Sequence, residues 1–510
     1  MIESLPGRGE DLVTRADVCV IGSGAGGAVA AAELAAAGRD VVVLEQGEHW
    51  TRRDFTQRED DMLPRLFEEA GMRQTVDGGI TILQGRCVGG STVHNLCYAF
   101  RTPPAILRMW REQHALPELT EAALAESFAR VEANLRVKPI REDEVNTLNR
   151  LLRSGAEQLG YSGFVTRHNR ENCVKAGYCL LGCSYDAKQS MLVTYVPRAS
   201  EAGARVYANA RAERIEAPAS GPRRVLGHIV DGAGRSRGSI AVEARAIVLA
   251  AGAVGSPDLL LRSGLGGPEV GRHLHLHPSV MVAGYWPEPI HAYRGIPQSY
   301  YIDEFIDLER DPHSGYVLMP IAGFPVLVAV NTPGFGREHF RQMRDFSKLG
   351  GLLVLLHDRS EGSVRSGASL GKPEIRYALD AKDRGLLAEG MRHCAEVLFA
   401  AGAERVVVPF LLDPLVLERG ADLGAIARRE VREGTLPIAS THPQSTCRMG
   451  GDPASSVVNA FGELHGVPGV FVADMSVFPT SLGAPPQITT AALADRTAHH
   501  IIARGSELAG

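Results

Sequence analysis

Residues 17–47, which read DVCVIGSGAGGAVAAAELAAAGRDVVVLEQG, decide the fold. They begin with a short apolar strand, pass through a glycine-rich turn into an alanine-rich helix, and end with a second apolar strand. Strands that are apolar on both faces are typical of a parallel sheet covered on both sides. The stretch therefore predicts a βαβ unit of an α/β fold.

The turn of this unit has the spacing GxGxxG at Gly22, Gly24 and Gly27. In a dinucleotide-binding turn these positions permit a tight turn, the approach of a pyrophosphate, and close packing of helix on strand. Glu45 ends the second strand, where a carboxylate binds ribose hydroxyls. The pattern predicts a Rossmann-like domain that binds a dinucleotide, and a purely structural glycine turn is the alternative.

Two later segments have the same strand-and-turn character. Residues 240–266 place an apolar strand before Gly252 and a helix, and residues 469–474 form a short strand that ends at Asp474. These pieces are too short to be separate domains, so we expect one cofactor domain with insertions. The expected cofactor domain comprises residues 1–106, 196–290 and 438–510, and the expected substrate domain comprises residues 107–195 and 291–437.

Composition excludes several classes of protein. The 510 residues include 54 Lys and Arg against 59 Asp and Glu, a net charge of −5, and no basic block suggests a nucleic-acid surface. No apolar run approaches the length of a membrane-spanning helix. The N-terminal stretch MIESLPGRGEDLVTRAD lacks the features of a targeting segment, so we expect a cytoplasmic protein with eight reduced cysteines.

Four separated segments together resemble the glucose–methanol–choline (GMC) family of flavin oxidoreductases. They are the βαβ unit, residues 85–95 (GRCVGGSTVHN), residues 252–266 (GAVGSPDLLLRSGLG), and the C-terminal stretches 442–450 (HPQSTCRMG) and 472–487 (VADMSVFPTSLGAPPQ). The resemblance implies FAD rather than NAD, and a substrate domain with a mainly antiparallel sheet covered by helices. It also assigns residues to the cofactor, with tight packing as the alternative for each small one: Gly89, Gly90, Ser91, Asn95, Gly252 and Asp474.

The resemblance implies oxidation of an alcohol to an aldehyde or ketone, with hydride transfer to flavin N5. His442 occupies the position of the catalytic histidine, which implies a general base that removes the hydroxyl proton. The electron acceptor is O2 or another carrier, and the sequence leaves this open. Apolar and aromatic residues around Tyr300, Tyr301, Phe324 and Val326 favour a lipophilic substrate.

The partner of the catalytic histidine departs from the family pattern. Where the family usually has His or Asn before a proline, residues 483–487 read GAPPQ, so that Pro485 occupies the position. Proline has no side-chain hydrogen-bond donor. Either Gln487 or Ser481 substitutes, or His442 acts alone, or the reaction is unusual, such as a non-redox or photochemical use of FAD.

His94 precedes the motif's Asn95 and resembles family members in which a histidine at this point is bonded covalently to the flavin 8α-methyl carbon. Noncovalent contact with the flavin and simple packing are the alternatives. The sequence does not separate the three.

Three cysteines, Cys173, Cys179 and Cys183, have the spacing C-x5-C-x3-C. Thiolates at such spacing can ligate iron–sulfur clusters. The segment resembles that of dehydrogenase members of the family, and this resemblance implies a dehydrogenase subunit that passes electrons through a cluster to a protein partner. A structural or disulfide-forming loop is the alternative, as is a zinc site that recruits His168. A second pattern, the alternating His273, His275 and His277, is spaced like a metal site, although the family has a similar segment without metal.

Overall fold

The computed structural model describes residues 2–5, 11–219, 221–332, 334–367 and 372–505. Residue 1 and residues 6–10, on which the predicted lack of a targeting segment partly rests, lie outside the described residues. The strands are β1 (Ile2–Ser4), β2 (Leu12–Ile21), β3 (Val41–Glu45), β4 (Ile80–Ile82), β5 (Val137–Pro139), β6 (Gly163–Val165), β7 (Arg167–Asn169), β8 (Arg205–Ala208), β9 (Ala210–Glu216), β10 (Arg223–Val230), β11 (Ser236–Leu249), β12 (Ser279–Tyr285), β13 (Tyr300–Ile302), β14 (Tyr316–Ile321), β15 (Leu349–Leu356), β16 (Ser363–Arg365), β17 (Glu374–Arg376), β18 (Arg405–Val408), β19 (Leu415–Glu418), β20 (Ile438–Ser440) and β21 (Val470–Val472). The helices are α1 (Gly27–Ala36), α2 (Glu59–Leu66), α3 (Pro104–Gln113), α4 (Glu121–Asn134), α5 (Thr147–Gln158), α6 (Tyr195–Glu201), α7 (Gly252–Ser263), α8 (Pro325–Asn331), α9 (Arg337–Arg344), α10 (Ala381–Ala400), α11 (Gly424–Ala427) and α12 (Gln487–Ala503).

The first sheet has eight strands in the order β1-β8-β3-β2-β11-β10-β9, with β21 beside β11. Its first five strands and β21 run parallel to their neighbours, and β10 and β9 continue the sheet antiparallel. Val18 pairs with Val41 between β2 and β3, and α1 connects these strands. This topology confirms the predicted βαβ unit and the α/β fold class. Parallel strands that are apolar on both faces are covered by helices on both sides of the sheet.

The second sheet has nine strands, and seven follow the order β19-β18-β12-β15-β14-β13-β6. Each neighbouring pair along this path is antiparallel, whereas β4 pairs parallel with β20 at the side of β12. Leu148 and Leu152 of α5 and Leu387 and Met391 of α10 lie in one apolar core with this sheet. The predicted, mainly antiparallel sheet covered by helices is thus present.

The segments assigned to each expected domain contribute to the apolar cores of both sheets. Strands β4, β12 and β20 come from the segments assigned to the cofactor domain, yet they pair in the second sheet. Conversely, Trp110 of α3 and Phe128 of α4 lie in the core of the first sheet, although they belong to the segment 107–195. The domain boundaries therefore stay a prediction.

Residues 316–331, which read as strands in the sequence, form one strand and one helix. Residues 316–321 are β14 as expected, but residues 325–331 are α8. Pro325 suits the first turn of a helix, where its missing N–H is not needed. The buried carboxylate of Glu59 accepts hydrogen bonds from the next two N–H groups, those of Val326 at 2.6 Å and Leu327 at 2.8 Å. A contact distant in sequence thus stabilises the helix.

Candidate active site

A cavity of about 710 Å3 lies at the carboxyl ends of the parallel strands of the first sheet. The turns after β2, β3 and β11 line it, together with residues 90–92 and Asp474. Open α/β sheets bind nucleotides at this edge. The fold therefore brings Gly22, Gly24, Glu45 and Gly252 to one cavity, as the sequence analysis expects of a cofactor site.

Ser23 joins two of the loops around this cavity. The N–H of Gly89 donates to Ser23 Oγ at 3.0 Å, and Ser23 Oγ donates to Glu45 Oε2 at 2.7 Å. The other carboxylate oxygen, Glu45 Oε1, accepts the N–H of Gly47 at 2.8 Å. Burial raises the pKa of Glu45 in spite of these hydrogen bonds. Ser23, which the sequence analysis did not single out, positions the predicted ribose-binding carboxylate.

The glycines of the first turn have different reasons to be glycine. Gly22 has φ +98°, and a Cβ there would lie 2.3 Å from Ala250 O. A Cβ on Gly26 would lie 1.6 Å from Ala473 O, and one on Gly27 would lie 2.0 Å from Gly22 O. Gly24 differs, since its Cβ would meet only the Cα of Gly90, at 3.9 Å. Packing therefore requires Gly26, which the motif does not include, whereas Gly24 leaves backbone open to the cavity.

The second glycine loop packs directly against the first. A Cβ on Gly90 would lie 2.8 Å from the Cα of Gly24, and Gly89 has φ +94°. Ser91 Oγ accepts the N–H of Gly85 at 2.8 Å, which closes the loop on itself. Residues 22–27 and 85–91 therefore form one cradle of backbone around the cavity.

Asp474 ties the two later segments to this cradle. Its Oδ2 accepts hydrogen bonds from the N–H of Gly252 at 2.9 Å and from Ser256 Oγ at 2.5 Å, and its Oδ1 accepts the N–H of Ser476 at 2.8 Å. Burial raises the pKa of Asp474 against these donors. The carboxyl group thus fixes the start of α7 beside the cavity.

His94 is buried, and its Nε2 has no hydrogen-bond partner among the described residues. Its ring packs against Phe67 with centroids 3.9 Å apart. Desolvation lowers the pKa of His94 to about 3, and the nearby Lys188 cation acts in the same direction. The ring is therefore uncharged at neutral pH, with one buried nitrogen unsatisfied, which a buried polar atom rarely is.

Asn95 and Gln487 contact each other at the start of α12. Asn95 Nδ2 donates to Gln487 Oε1, and Gln487 Nε2 is buried without a partner among the described residues. The buried Lys188 holds the Asn95 segment, since its ammonium donates to the carbonyl oxygens of Val93 at 2.8 Å, Asn95 at 2.6 Å and Cys179 at 2.6 Å. His94 and Gln487 thus each present an unpaired nitrogen.

His442 lies beside the cavity, because its neighbours Thr441 and Pro443 line it. Its Nδ1 lies 3.2 Å from Nδ1 of His277, and the two rings cross at 87°. The N–H of Gly483 donates to Nε2 of His277 at 3.2 Å. A neutral imidazole has one N–H and one lone pair, so His277 carries its hydrogen on Nδ1 and donates it to His442. The ring of His442 then carries its own hydrogen on Nε2.

Burial keeps this histidine pair neutral. Desolvation lowers the pKa of His442 to about 4 and lowers the pKa of His277 well below its usual value. The buried Asp358 anchors the backbone beside the pair. It accepts hydrogen bonds from the N–H groups of Leu276 and His277 and from the hydroxyls of Tyr377 and Ser481.

The position of the usual histidine partner is the buried Pro485, and the expected substitutes lie elsewhere. Ser481 donates to Asp358 at 2.8 Å and lies 3.0 Å from His357 Nδ1, while Gln487 contacts Asn95. Within the described residues, His277 is the side chain that hydrogen-bonds to the imidazole ring of His442. The sequence analysis considered His277 as one of three alternating histidines, spaced like a metal site. It lies just before β12, which pairs with β20 ahead of His442, and this proximity requires the fold.

The cysteine loop does not support an iron–sulfur cluster. Cys173, Cys179 and Cys183 are free thiols, and among the described residues the one metal-competent group is Glu33, Asp495 and His499. Cys179 instead forms a hydrogen bond with Cys97, which lowers the pKa of Cys97 below its usual value. The proposed zinc ligand His168 is also engaged, because its Nε2 donates to Gln298 O at 3.1 Å.

The alternating histidines also have separate partners. His273 bridges Glu361 at 2.7 Å and Glu269 at 2.8 Å, and His275 Nδ1 lies 3.6 Å from Asp358. Since His277 contacts His442, the three rings do not converge on one point. The segment serves the histidine pair rather than a metal.

Comparison with known sequences places the chain in a family. It matches the two domain models of the GMC oxidoreductase family, over residues 63–279 and 358–494, and a model of an NAD(P)-binding Rossmann-like domain over residues 20–78. The chain belongs to the GMC oxidoreductase family, and it is an FAD-dependent oxidoreductase. The resemblance inferred from four segments is confirmed.

Relatives and solved structures agree with this assignment. The chain is 34% identical to a GMC-type oxidoreductase of Mycobacterium tuberculosis over 96% of this chain and 76% of the relative. It is 28% identical to a long-chain-alcohol oxidase of Arabidopsis thaliana over 96% of this chain and 69% of that protein. The fold is similar to a crystal structure of pyridoxine 4-oxidase from Mesorbium loti, with a TM-score of 0.70, 20% identity and coverage of 95% and 98%.

Proposed function

We propose that the protein oxidises a lipophilic alcohol to an aldehyde or ketone, with His442 acting on the substrate hydroxyl. The observation that carries this proposal is the neutral His442, held by His277 at the wall of the cofactor cavity. A histidine that is uncharged at neutral pH is competent to accept a proton. Bound FAD supplies the hydride acceptor.

The residues around the cavity fit FAD. The open backbone at Gly24 and the unpaired nitrogens of His94 and Gln487 are the features that a large polar cofactor would satisfy. Residues 22–27 lie before the N-terminus of α1, where N–H groups and the helix dipole favour a pyrophosphate. Glu45 would hold the ribose, and Gly90 and Ser91 would lie along the cofactor.

His442 is the proposed base, and its tautomer sets a condition. To take the hydroxyl proton at Nε2, the ring must first carry its hydrogen on Nδ1. In that arrangement His442 donates to His277, so the hydrogen of His277 moves from Nδ1 to Nε2. There it faces the N–H of Gly483, which is also a donor. The change leaves these two buried N–H groups without an acceptor, at a cost of about 1–3 kcal/mol for an unsatisfied donor, which is still small beside a catalytic barrier.

Two observations support a lipophilic substrate. The relatives include long-chain-alcohol oxidases, which share most of this chain's length. In addition, the rings of Tyr98, Phe100, Phe164 and Tyr301 contact one another in an aromatic cluster a few residues beyond Asn95. O2 is the proposed electron acceptor, by analogy with these oxidases.

The test is anaerobic mixing of the FAD-loaded enzyme with a long-chain alcohol such as dodecanol. Reduction of the flavin, seen as loss of its visible absorption, is the expected result. His442→Ala should slow this reduction by about a hundredfold or more while FAD stays bound, since a positioned acid or base contributes about that factor. A flavin that keeps its oxidised spectrum with every alcohol would overturn the proposal, as would an unimpaired variant.

A further inference from the structure

The helices α8 and α9 form a unit with exposed apolar side chains, here called the 325–344 hairpin, of which residue 333 lies outside the described residues. Phe335 at the turn is 94% exposed, and Val330 and Phe340 are 73% and 69% exposed. Single exposed apolar residues are common on soluble proteins, but a group on one short element marks an interaction surface. The 325–344 hairpin therefore carries apolar side chains that the fold leaves uncovered.

The inner side of the hairpin is packed. Val328 of α8 is buried in a small cluster with Tyr285, Leu349 and Val407, and Met343 of α9 packs against the same cluster. His339 Nε2 donates to Ala329 O at 2.9 Å, which ties the two helices together. The exposed residues are thus presented on a supported element.

The hairpin is basic in an otherwise acidic chain. Residues 325–344 include the exposed Arg337, Arg341 and Arg344 against the single acid Glu338, whereas the whole chain has a net charge of −5. Arg337 and Arg341 have no ion-pair partner within the described ranges, and Arg344 is 3.6 Å from Asp345. Because residues three and four apart share a helix face, Arg337, Phe340, Arg341 and Arg344 present apolar and cationic groups side by side.

We propose that the 325–344 hairpin docks the protein on an anionic lipid surface. Elements that combine exposed Phe with Arg lie in the interface of a bilayer, with the rings at the boundary of the acyl chains and the guanidinium groups among the phosphates. Within the described residues no helix is long and apolar enough to cross a membrane. The proposed docking is independent of the proposed alcohol oxidation.

The test is co-sedimentation of the FAD-loaded protein with vesicles of phosphatidylcholine, with and without phosphatidylglycerol. We expect binding to the anionic vesicles that weakens with added salt. The double variant Arg337→Glu/Arg341→Glu should bind more than about 25-fold less tightly, because each basic residue near an anionic surface contributes about fivefold. Phe335→Ser/Phe340→Ser should also abolish sedimentation, which separates insertion of the rings from simple charge attraction.

Leu412→Ser is the matched control, because Leu412 is fully exposed on a different loop. It should sediment like the unchanged protein. Equal loss of binding in the control, or sedimentation unaffected by the phenylalanine variant, would contradict the proposal. A dimer in size-exclusion chromatography that Phe335→Ser/Phe340→Ser dissociates, without vesicle binding by the unchanged protein, would assign the hairpin to a second copy of the chain and overturn lipid docking. Unchanged flavin absorption verifies that each variant is folded.

Discussion

His277 donates its Nδ1 hydrogen to Nδ1 of His442 across 3.2 Å, and the backbone N–H of Gly483 fixes that direction. His277 thereby provides a hydrogen-bond partner for His442 that Pro485 does not provide. A proline cannot provide the usual second group beside the proposed catalytic histidine, and in this chain a histidine from a distant segment contacts His442 instead. We regard His277 as a positioning residue, since it would act on the substrate through the proposed base His442.

Replacement of His277 tests this relationship. His277→Ala removes the hydrogen-bond partner of His442 Nδ1 and should slow flavin reduction by the alcohol about tenfold to a hundredfold, because one hydrogen bond to a reacting group contributes roughly that factor. His277→Asn places an amide oxygen near the position of Nδ1 that accepts the His442 Nδ1 hydrogen, as the base requires, and should restore much of the rate. Anaerobic stopped-flow absorption measures both.

The control for this experiment is His273→Ala, which lies in the same segment but pairs with Glu269 and Glu361. It should leave the rate of flavin reduction almost unchanged. If His273→Ala and His277→Ala slow the reaction equally, the segment has a general structural role and the positioning role of His277 is wrong.

The pH dependence follows from the burial of His442. Its pKa is lowered from the ordinary 6.5 to about 4 by desolvation, so the neutral form persists well below neutral pH. The rate constant for flavin reduction should be level around neutrality and should fall as the pH drops towards 4. A rate that halves near pH 6.5 would mean that His442 titrates as an exposed histidine does, and would contradict the structure.

Gly24 and Gly26 should respond differently to the same added methyl group. Gly26→Ala directs its Cβ into the backbone of Ala473 and should lower the free energy of unfolding by about 3 kcal/mol. Gly24→Ala has space for its Cβ at the cavity wall, so its unfolding free energy should change by less than about 0.5 kcal/mol. Urea unfolding of the flavin-free proteins measures this contrast.

The second measurement on the Gly24→Ala variant is its affinity for FAD. Gly24→Ala should bind FAD more weakly than the unchanged protein, because the methyl group occupies the space that the cofactor approaches. Fluorescence titration with FAD measures the affinity. An unimpaired Gly24→Ala variant would show that the first glycine turn does not contact the cofactor.

His94 provides a prediction about the cofactor bond. Its unpaired Nε2 supports a covalent link to the flavin, so acid precipitation of the purified protein should leave the yellow colour in the pellet. His94→Ala should release all flavin into the supernatant under the same conditions. Free flavin released from the unchanged protein would leave noncovalent contact or packing as the role of His94.

The sequence is sufficient to predict the parts of this fold that local patterns encode. The βαβ unit follows from strand composition and the glycine spacing. The helix α8 could not be predicted, because its apolar residues also suit a strand. Its stabilising partner is Glu59, more than two hundred residues earlier in the chain.

Local patterns also predict only part of the candidate active site. The glycine positions and His442 are recognisable because family motifs surround them. Ser23, Gly26 and His277 are not recognisable, since their importance lies in contacts with Gly89, Ala473 and His442, each from another segment. Spacing alone also left a cluster, a structural loop and a zinc site open for the cysteine loop, and it does not reveal the hydrogen bond between Cys179 and Cys97.

The carboxylate of Asp474 has a consequence for biosynthesis. On the ribosome, Gly252 and Ser256 emerge long before Asp474, their common acceptor. Until that carboxylate emerges, the start of α7 lacks the bonds that hold it beside the cavity, and Gly26 lacks the backbone of Ala473 against which it packs. A ribosome-bound chain truncated before residue 473 should therefore fail to retain FAD, and loading of the cofactor should follow translation of β21 and the residues after it.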